Sequence, residues 1–455
     1  MIKALILLAS IAGAADVAQS PDGPLPRAVN PRDIAVPSGY KIEKVLDGLT
    51  YPTAVAFDDR DRVYVVESGY AYGDSWAVPR LLRLEPDDRY TVIASGDKNG
   101  PWTGAVYAKG SFYIAEGGEL EGGRLLRVDL ETGRLYTLLQ GLPSTGDHPT
   151  TGPVLGPDGR LYFGQGTMTN AGVVGPDNEK TGWLQRFPDR HDIPCRDVTL
   201  SGANFTGPRG ETGPYLAAGT ASKPGQVVKG AVPCSGAVMR LPLEGDPKPE
   251  LVAWGFRDPF GLAFSPKGVL YVSDAGYDNR GSRPVTGASD LFWAVSTATW
   301  YGWPDFAGQQ SVGKPALASH PGTPPKPKAL LGVHASARSF DFSRADGFGY
   351  VGEAFLAEFG DLSPFSGPVA GRVGFKVVRV DPETGVIEDF AVNRGSANGP
   401  ASQLRKGGLE RPIAARFSPD GRTLYVVDFG MITATPDGFQ PRKGTGVIWK
   451  ITRVE

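Results

Sequence analysis

The chain has 455 residues, 62 of them Gly and 40 Pro, 40% hydrophobic residues and a formal net charge of -2. The Gly and Pro load supplies turns while the apolar fraction still supplies a core, which fits one large all-β domain and argues against disorder. Near-neutral charge without a long Lys or Arg run argues against a nucleic-acid binder.

The first residues, MIKALILLASIAGAA, put Lys3 ahead of an apolar run and end it in small residues, so 1–15 reads as a signal peptide. Asp16 interrupts the run well short of the roughly 20 residues a membrane span needs. No later stretch is long and apolar enough to span a bilayer, and a periplasmic or secreted protein is expected. Residues 16–36 read as a linker, and 37–455 as the folded domain.

Within that domain one hairpin motif recurs six times. The copies are YPTAVAFDDRDRVYVVESG from Tyr51, TGAVYAKGSFYIAEGG from Thr103, HPTTGPVLGPDGRLYFGQG from His148, RDPFGLAFSPKGVLYVSDAG from Arg257, HASARSFDFSRADGFGYVGEAFLAEFG from His334 and RPIAARFSPDGRTLYVVDFG from Arg411. In each, an alternating strand leads through a polar turn to a second strand of β-branched and aromatic residues. Further strand pairs lie between the copies, so the unit is a four-stranded blade. Blades of this kind bury their faces only by stacking radially, which predicts a six-bladed β-propeller. The last strand, GVIWKITRV, has no nearby partner in sequence and is expected to close the ring with the N-terminal segment.

The third unit is broken by a region of about 177–234, rich in Gly, Thr and Pro. Its two cysteines, Cys195 and Cys234, match no metal or haem spacing and are expected to pair in an oxidising compartment. The segment TWYGWPDF brings Trp300, Tyr301 and Trp303 together, either to stack on a ligand or to pack. His334 opens the fifth copy and could face the channel, whereas His191 and His320 lie in Pro-rich loops.

Superposing the copies places equivalent residues on one ring. The polar residue ending the second strand is Glu67, Glu116, Gln165, Asp274, Glu358 and Asp428. Such oxygens either suit a hard cation like Ca²⁺ or satisfy backbone N–H groups at blade ends. Seventeen residues before three of those ends stand His148, Arg257 and Arg411. A general base beside two guanidinium groups suits an anionic, carboxylate-bearing ligand with proton abstraction next to it. Asp147 precedes the histidine and could orient its ring.

These residues resemble the PQQ-dependent glucose and sorbosone dehydrogenases, six-bladed quinoproteins that carry pyrroloquinoline quinone (PQQ) and Ca²⁺. The resemblance rests on Asp147-His148 with GPDGRLYFGQG, on GFRDPFGLAFSPKGVLYVSDAG with a later YGWP, and on RPIAARFSPDGRTLYVVD. It implies His148 as catalytic base, Asp147 as its support, and Arg257 beside the reactive quinone oxygen. It further implies Asp258 and Arg411 at the cofactor, and backbone carbonyls of Gly276 and Tyr277 on Ca²⁺ and PQQ. Asp258 departs from the pattern's Asn, Phe260 from its Gln and Ile413 from a second Arg. The activity implied is oxidation of an aldose or sugar aldehyde. With no haem motif in the chain, electrons would leave to an external cytochrome or quinone. Two other classes share this architecture: a metal-dependent sugar lactonase, and a non-catalytic propeller that binds carbohydrate or protein.

Overall fold

The computed structural model describes residues 17–19, 27–69, 76–118, 120–436 and 438–454. The segment expected to be a signal peptide lies outside them. Six antiparallel sheets follow one another along the chain, each with a four-stranded core, and the first and fifth carry one short extra edge strand. Their innermost strands are Pro52–Phe57, Trp102–Ala108, Thr150–Leu155, Pro259–Phe264, Ala337–Phe342 and Pro412–Phe417. The fold is the six-bladed propeller that the repeat predicts, and blades are numbered here in that order.

Closure uses the two chain ends. In blade 6 the C-terminal strand Gly446–Arg453 pairs on one side with Thr423–Asp428 and on the other with Tyr40–Leu49, so the outermost strand comes from the N-terminal part of the chain. The second half of the expected linker also belongs to the body. Ile34–Ala35 adds to the outer edge of blade 5, and buried Arg27 pairs with Asp428 at 2.8 Å.

Apolar residues alternate along each strand and meet those of the next blade, so the core is divided into seams. Between blades 1 and 2 the seam holds Tyr64, Val66, Trp102, Phe112 and Ile114. Between blades 4 and 5 it holds Phe292, Phe340, Phe342, Leu356 and Val378. Truncating one such aromatic to Ala costs about 3–5 kcal/mol, because neighbouring blades cannot collapse into the gap.

The acids that end the second strands work as staples. Asp274 Oδ1 accepts from the backbone N–H groups of Arg257 (3.0 Å) and Asp258 (2.7 Å), and Asp428 does the same for Glu410 and Arg411 (both 2.9 Å). Glu67 accepts from Thr50 N at 2.6 Å, and Glu116 from Trp102 Nε1 at 3.0 Å. Glu67, Asp274 and Asp428 thus satisfy backbone N–H groups at blade ends, whereas Glu116 accepts from side chains and Gln165 from the Thr150 hydroxyl.

The excursion in blade 3 runs from Gly166 to Gly236, between strands Arg160–Gln165 and Ala237–Pro242. It carries two short helices, Pro176–Lys180 and Trp183–Arg186, and is cross-linked by a Cys195–Cys234 disulfide. A second excursion leaves blade 4 after Asp274. The two excursions pack together through Ala171, Leu200, Tyr215 and Tyr277, joined by Trp303 from the loop between strands Ser289–Ala294 and Ala329–Val333.

Candidate functional site

A cavity of about 270 Å³ opens where the loops of blades 3, 4 and 5 converge beneath the blade-3 excursion. Asp147, His148, Arg257, Asp258 and Gly276 all line it, together with Arg280, His334 and Arg338. These are the residues just before innermost strands or just after second strands, where the pleat ends and side chains turn toward the axis.

His148 is 6% exposed, and its ring is fixed by one contact pair: Nδ1 lies 2.9 Å from the carbonyl oxygen of Thr167 and 3.1 Å from Thr167 Oγ1. A carbonyl only accepts, so Nδ1 carries the proton and Nε2 is left as a bare acceptor. Burial, reinforced by the Arg257 charge, lowers the imidazole pKa to about 3, so the ring is neutral at physiological pH. Asp147 does not hold this ring. Its oxygens accept from Asn178 Nδ2 at 3.1 Å and from Arg280 Nη2 at 2.7 Å. Burial pushes its carboxyl up to about 6 even against the Arg280 charge.

Arg257 reaches back across the cavity wall. Its Nη2 donates to Asn170 Oδ1 at 2.9 Å and to Asp278 Oδ2 at 2.8 Å, and its Nε to the Asn170 carbonyl at 3.1 Å. Asp258 accepts from Arg338 Nη1 at 2.5 Å through one oxygen; the other, Oδ1, is buried with no hydrogen-bond partner. Burial raises the Asp258 pKa, but the charges of Arg338 and Arg257, with the Arg338 hydrogen bond, outweigh it and leave the carboxyl below its ordinary value. An ionised buried oxygen without a donor demands one from whatever fills the cavity.

Arg411 does not reach this cavity. It is 1% exposed, its Nη1 donates to the carbonyls of Phe359, Gly360 and Asp361, and its guanidinium packs against the rings of Phe359 and Phe375. The reason is register. Asp274 pairs with Pro259, whereas Asp428 pairs with Pro412, so the blade-6 hairpin is one residue longer. Counting back from the strand end therefore lands one position late, and Arg411 is the counterpart of Asp258, with Glu410 in the place of Arg257.

The Tyr277 side chain is buried among the excursions, and its hydroxyl donates to the Phe306 carbonyl at 3.0 Å. Gly276 lines the cavity, its N–H bound by Asp290 Oδ1 at 2.8 Å. Among the described residues no group of three or more His, Cys, Asp or Glu is arranged to hold a metal ion. The carboxylate next to Gly276 and Tyr277, Asp278, is already bound by Arg257 and Arg280, and the guanidinium charges there oppose a dication. The Ca²⁺ that the resemblance implied would rest on the backbone carbonyls of Gly276 and Tyr277 rather than on these side chains.

An organic anion fits better. Five basic residues (Lys180, Arg186, Arg257, Arg280 and Arg338) line the cavity against four aspartates. The lining side chains thus carry a formal excess of one positive charge, and burial raises the carboxyls of Asp147 and Asp290. Trp183, Phe260, Phe365 and Phe439 add flat apolar surface. Trp300, Tyr301 and Trp303 are buried packing: Tyr301 stacks on Phe256, Trp303 meets Tyr215 edge-on, and Trp300 stacks on His320. Phe260 and Ile413 join Phe359 in an apolar cluster. Thr167, the residue that orients His148, carried no signal in the sequence beyond standing two places after a strand-end residue.

Fold and cavity together define a six-bladed propeller with a buried, neutral histidine at the wall of a cationic pocket. No protein-family model matches the chain, and no curated protein matches it. Solved structures do. The PQQ-bound form of an aldose sugar dehydrogenase from Streptomyces coelicolor is 16% identical, with 92% of this chain and 99% of that chain covered at a TM-score of 0.52. The holo form of the pyranose dehydrogenase PQQ domain from Coprinopsis cinerea is 16% identical over 96% of this chain and 100% of that one, TM-score 0.57. A calcium structure of a family AA12 carbohydrate-active enzyme from Trichoderma reesei is 14% identical over 96% and 100%, TM-score 0.57. At these identities the likeness is one of fold.

Proposed function

We propose that this protein oxidises a sugar, an aldose or sugar aldehyde, with PQQ as the electron acceptor and His148 as the general base. The observation that carries the reading is the fixed tautomer: Nδ1 is committed to Thr167, and Nε2 is a bare acceptor in a cavity lined by Arg257 and Asp258. A base in hydrogen-bond reach of a substrate hydroxyl takes its proton as the adjacent C–H bond breaks. The unpartnered Asp258 Oδ1 accepts a hydrogen bond from a second hydroxyl, which suits a polyol. Arg257, in contact with the backbone and with Asp278, is held rigidly enough to stabilise negative charge that develops beside His148.

PQQ, when bound, supplies the two-electron hydride acceptor that no side chain can provide. Arg257, Arg338 and the basic residues Lys180 and Arg186 would hold its acidic groups, and Trp183 and Phe260 its flat ring system. That the solved propellers of similar fold include PQQ-bound sugar dehydrogenases supports this choice of cofactor. Electrons would then pass to an external cytochrome or quinone. The apolar start of the chain and the disulfide support export to the periplasm or beyond.

The test is reconstitution of the purified chain with PQQ, followed by dye reduction with a panel of aldoses and sugar aldehydes. Sugar-dependent reduction that disappears in His148→Gln is expected. No quinone absorbance and no reduction with any sugar would overturn the reading. Acid release from a lactone by cofactor-free protein would instead favour a lactonase, and neither activity would leave a binding propeller.

A further inference from the structure

Arg280 lines the cavity and is held by three ion pairs. Its Nη2 donates to Asp147 Oδ2 at 2.7 Å, its Nη1 to Asp177 Oδ2 at 2.6 Å and its Nε to Asp278 Oδ2 at 3.0 Å. The side chain is 10% exposed and those of its partners 5%, 7% and 17%. The three aspartates come from different parts of the chain: the approach to blade 3, the helix Pro176–Lys180 of the excursion, and the loop after the second strand of blade 4. One cation thus gathers three carboxylates that would otherwise repel one another in a desolvated place.

We infer that the guanidinium of Arg280 occupies the place of a divalent cation, joining the blade-3 excursion to the propeller, and that this cavity is organised without a bound metal. Three observations converge on it. Each of its three N–H faces meets a different carboxylate, a convergence of oxygens usually seen around Ca²⁺. Residues 276 and 277 are flanked by guanidinium contacts, with Arg257 Nη1 at 3.4 Å from the Ala275 carbonyl and both Arg257 and Arg280 on Asp278. A dication here would have to displace guanidinium groups already paired with these carboxylates. The inference concerns the same cavity as the proposed oxidation but does not rest on it, since it is read from metal binding and melting without sugar or cofactor.

The experiment uses the full-length oxidised chain, stripped with EDTA, and follows thermal melting and calorimetric titration with CaCl₂ alone. The wild-type chain is expected to melt at the same temperature with EDTA, without it and with millimolar Ca²⁺, and to give no binding heat. Arg280→Gln removes the charge and leaves three carboxylates together; it is expected to melt lower by roughly 5 °C, because a buried network loses its cation. Ca²⁺ should now bind this variant and recover part of the loss. Arg280→Lys keeps a charge without the three-way fork and should fall between. A wild-type melting temperature that drops with EDTA and returns with Ca²⁺ would overturn the inference, and that arm requires no variant to fold. An Arg280→Gln chain that melts like wild type and ignores Ca²⁺ would overturn it as well.

Discussion

The ring nitrogen Nδ1 of His148 stands 2.9 Å from the main-chain carbonyl of Thr167, a contact that a side-chain substitution at 167 cannot remove. The tautomer is therefore written into the backbone after blade 3's second strand, and the Thr167 hydroxyl at 3.1 Å only adds to it. His148→Gln is expected to lower kcat/KM for the sugar by roughly 10²–10⁴, the usual worth of a positioned base. Thr167→Val keeps the carbonyl and should cost less than about 10-fold. Steady-state dye reduction on both variants, with circular dichroism to check the fold, decides this. Equal losses would place the orienting role in the hydroxyl.

The buried imidazole also makes stability depend on acidity. Burial and Arg257 bring its pKa from the ordinary 6.5 to about 3 in the folded protein. Between those values the unfolded chain binds a proton that the folded site refuses, so stability at this site falls as pH drops from 6.5 toward 3. The slope is at most about 1.4 kcal/mol per pH unit. His148→Gln removes the term, so its melting temperature should gain on the wild type as pH is lowered from 7 to near 4. Melting curves that stay parallel over that window would contradict the assignment.

Much of this was legible in the sequence because the hairpin repeat is a period, and a period fixes blade number, strand order and the ends at which side chains meet. His148, Arg257, Asp258 and Gly276 reach one cavity for that reason. What the repeat could not show were contacts that depend on loop length or on distant segments. The extra residue in the turn between Phe417 and Thr423 moves Arg411 by one position and sends it into the wall of blade 5. Asp147 looked like a partner for its neighbour His148, yet it binds Arg280, 133 residues away, across an excursion with no repeat to guide the eye.

That displacement separates the two arginines experimentally. Arg257→Met should reduce kcat and also lower the melting temperature, since Arg257 lines the cavity while its buried guanidinium pairs with Asp278. Arg411→Met leaves the carbonyls of 359–361 without their donor and should lower the melting temperature by several degrees while KM for sugar and cofactor stays close to wild type. Differential scanning fluorimetry beside steady-state kinetics reads both. Loss of PQQ affinity in Arg411→Met at unchanged stability would restore it to the cofactor site.

The disulfide reaches His148 through a short chain of contacts. Three residues before Cys195, Asp192 accepts from Met168 N at 2.7 Å and from Thr169 Oγ1 at 2.5 Å, and these flank the segment whose Thr167 holds His148. The cross-link joins residues 39 apart, for which loop closure predicts a stabilisation of roughly 4 kcal/mol. Because both cysteines lie in the excursion, reduction should loosen 166–236 while the other blades keep their ladders. The expected result in reducing agent, or in the Cys195→Ser/Cys234→Ser variant, is faster amide exchange confined to that region, with kcat reduced several-fold. Unchanged kcat alongside faster exchange would show that Thr167 is held without the cross-link, through its own N–H to the Arg257 carbonyl at the start of blade 4, at 2.9 Å.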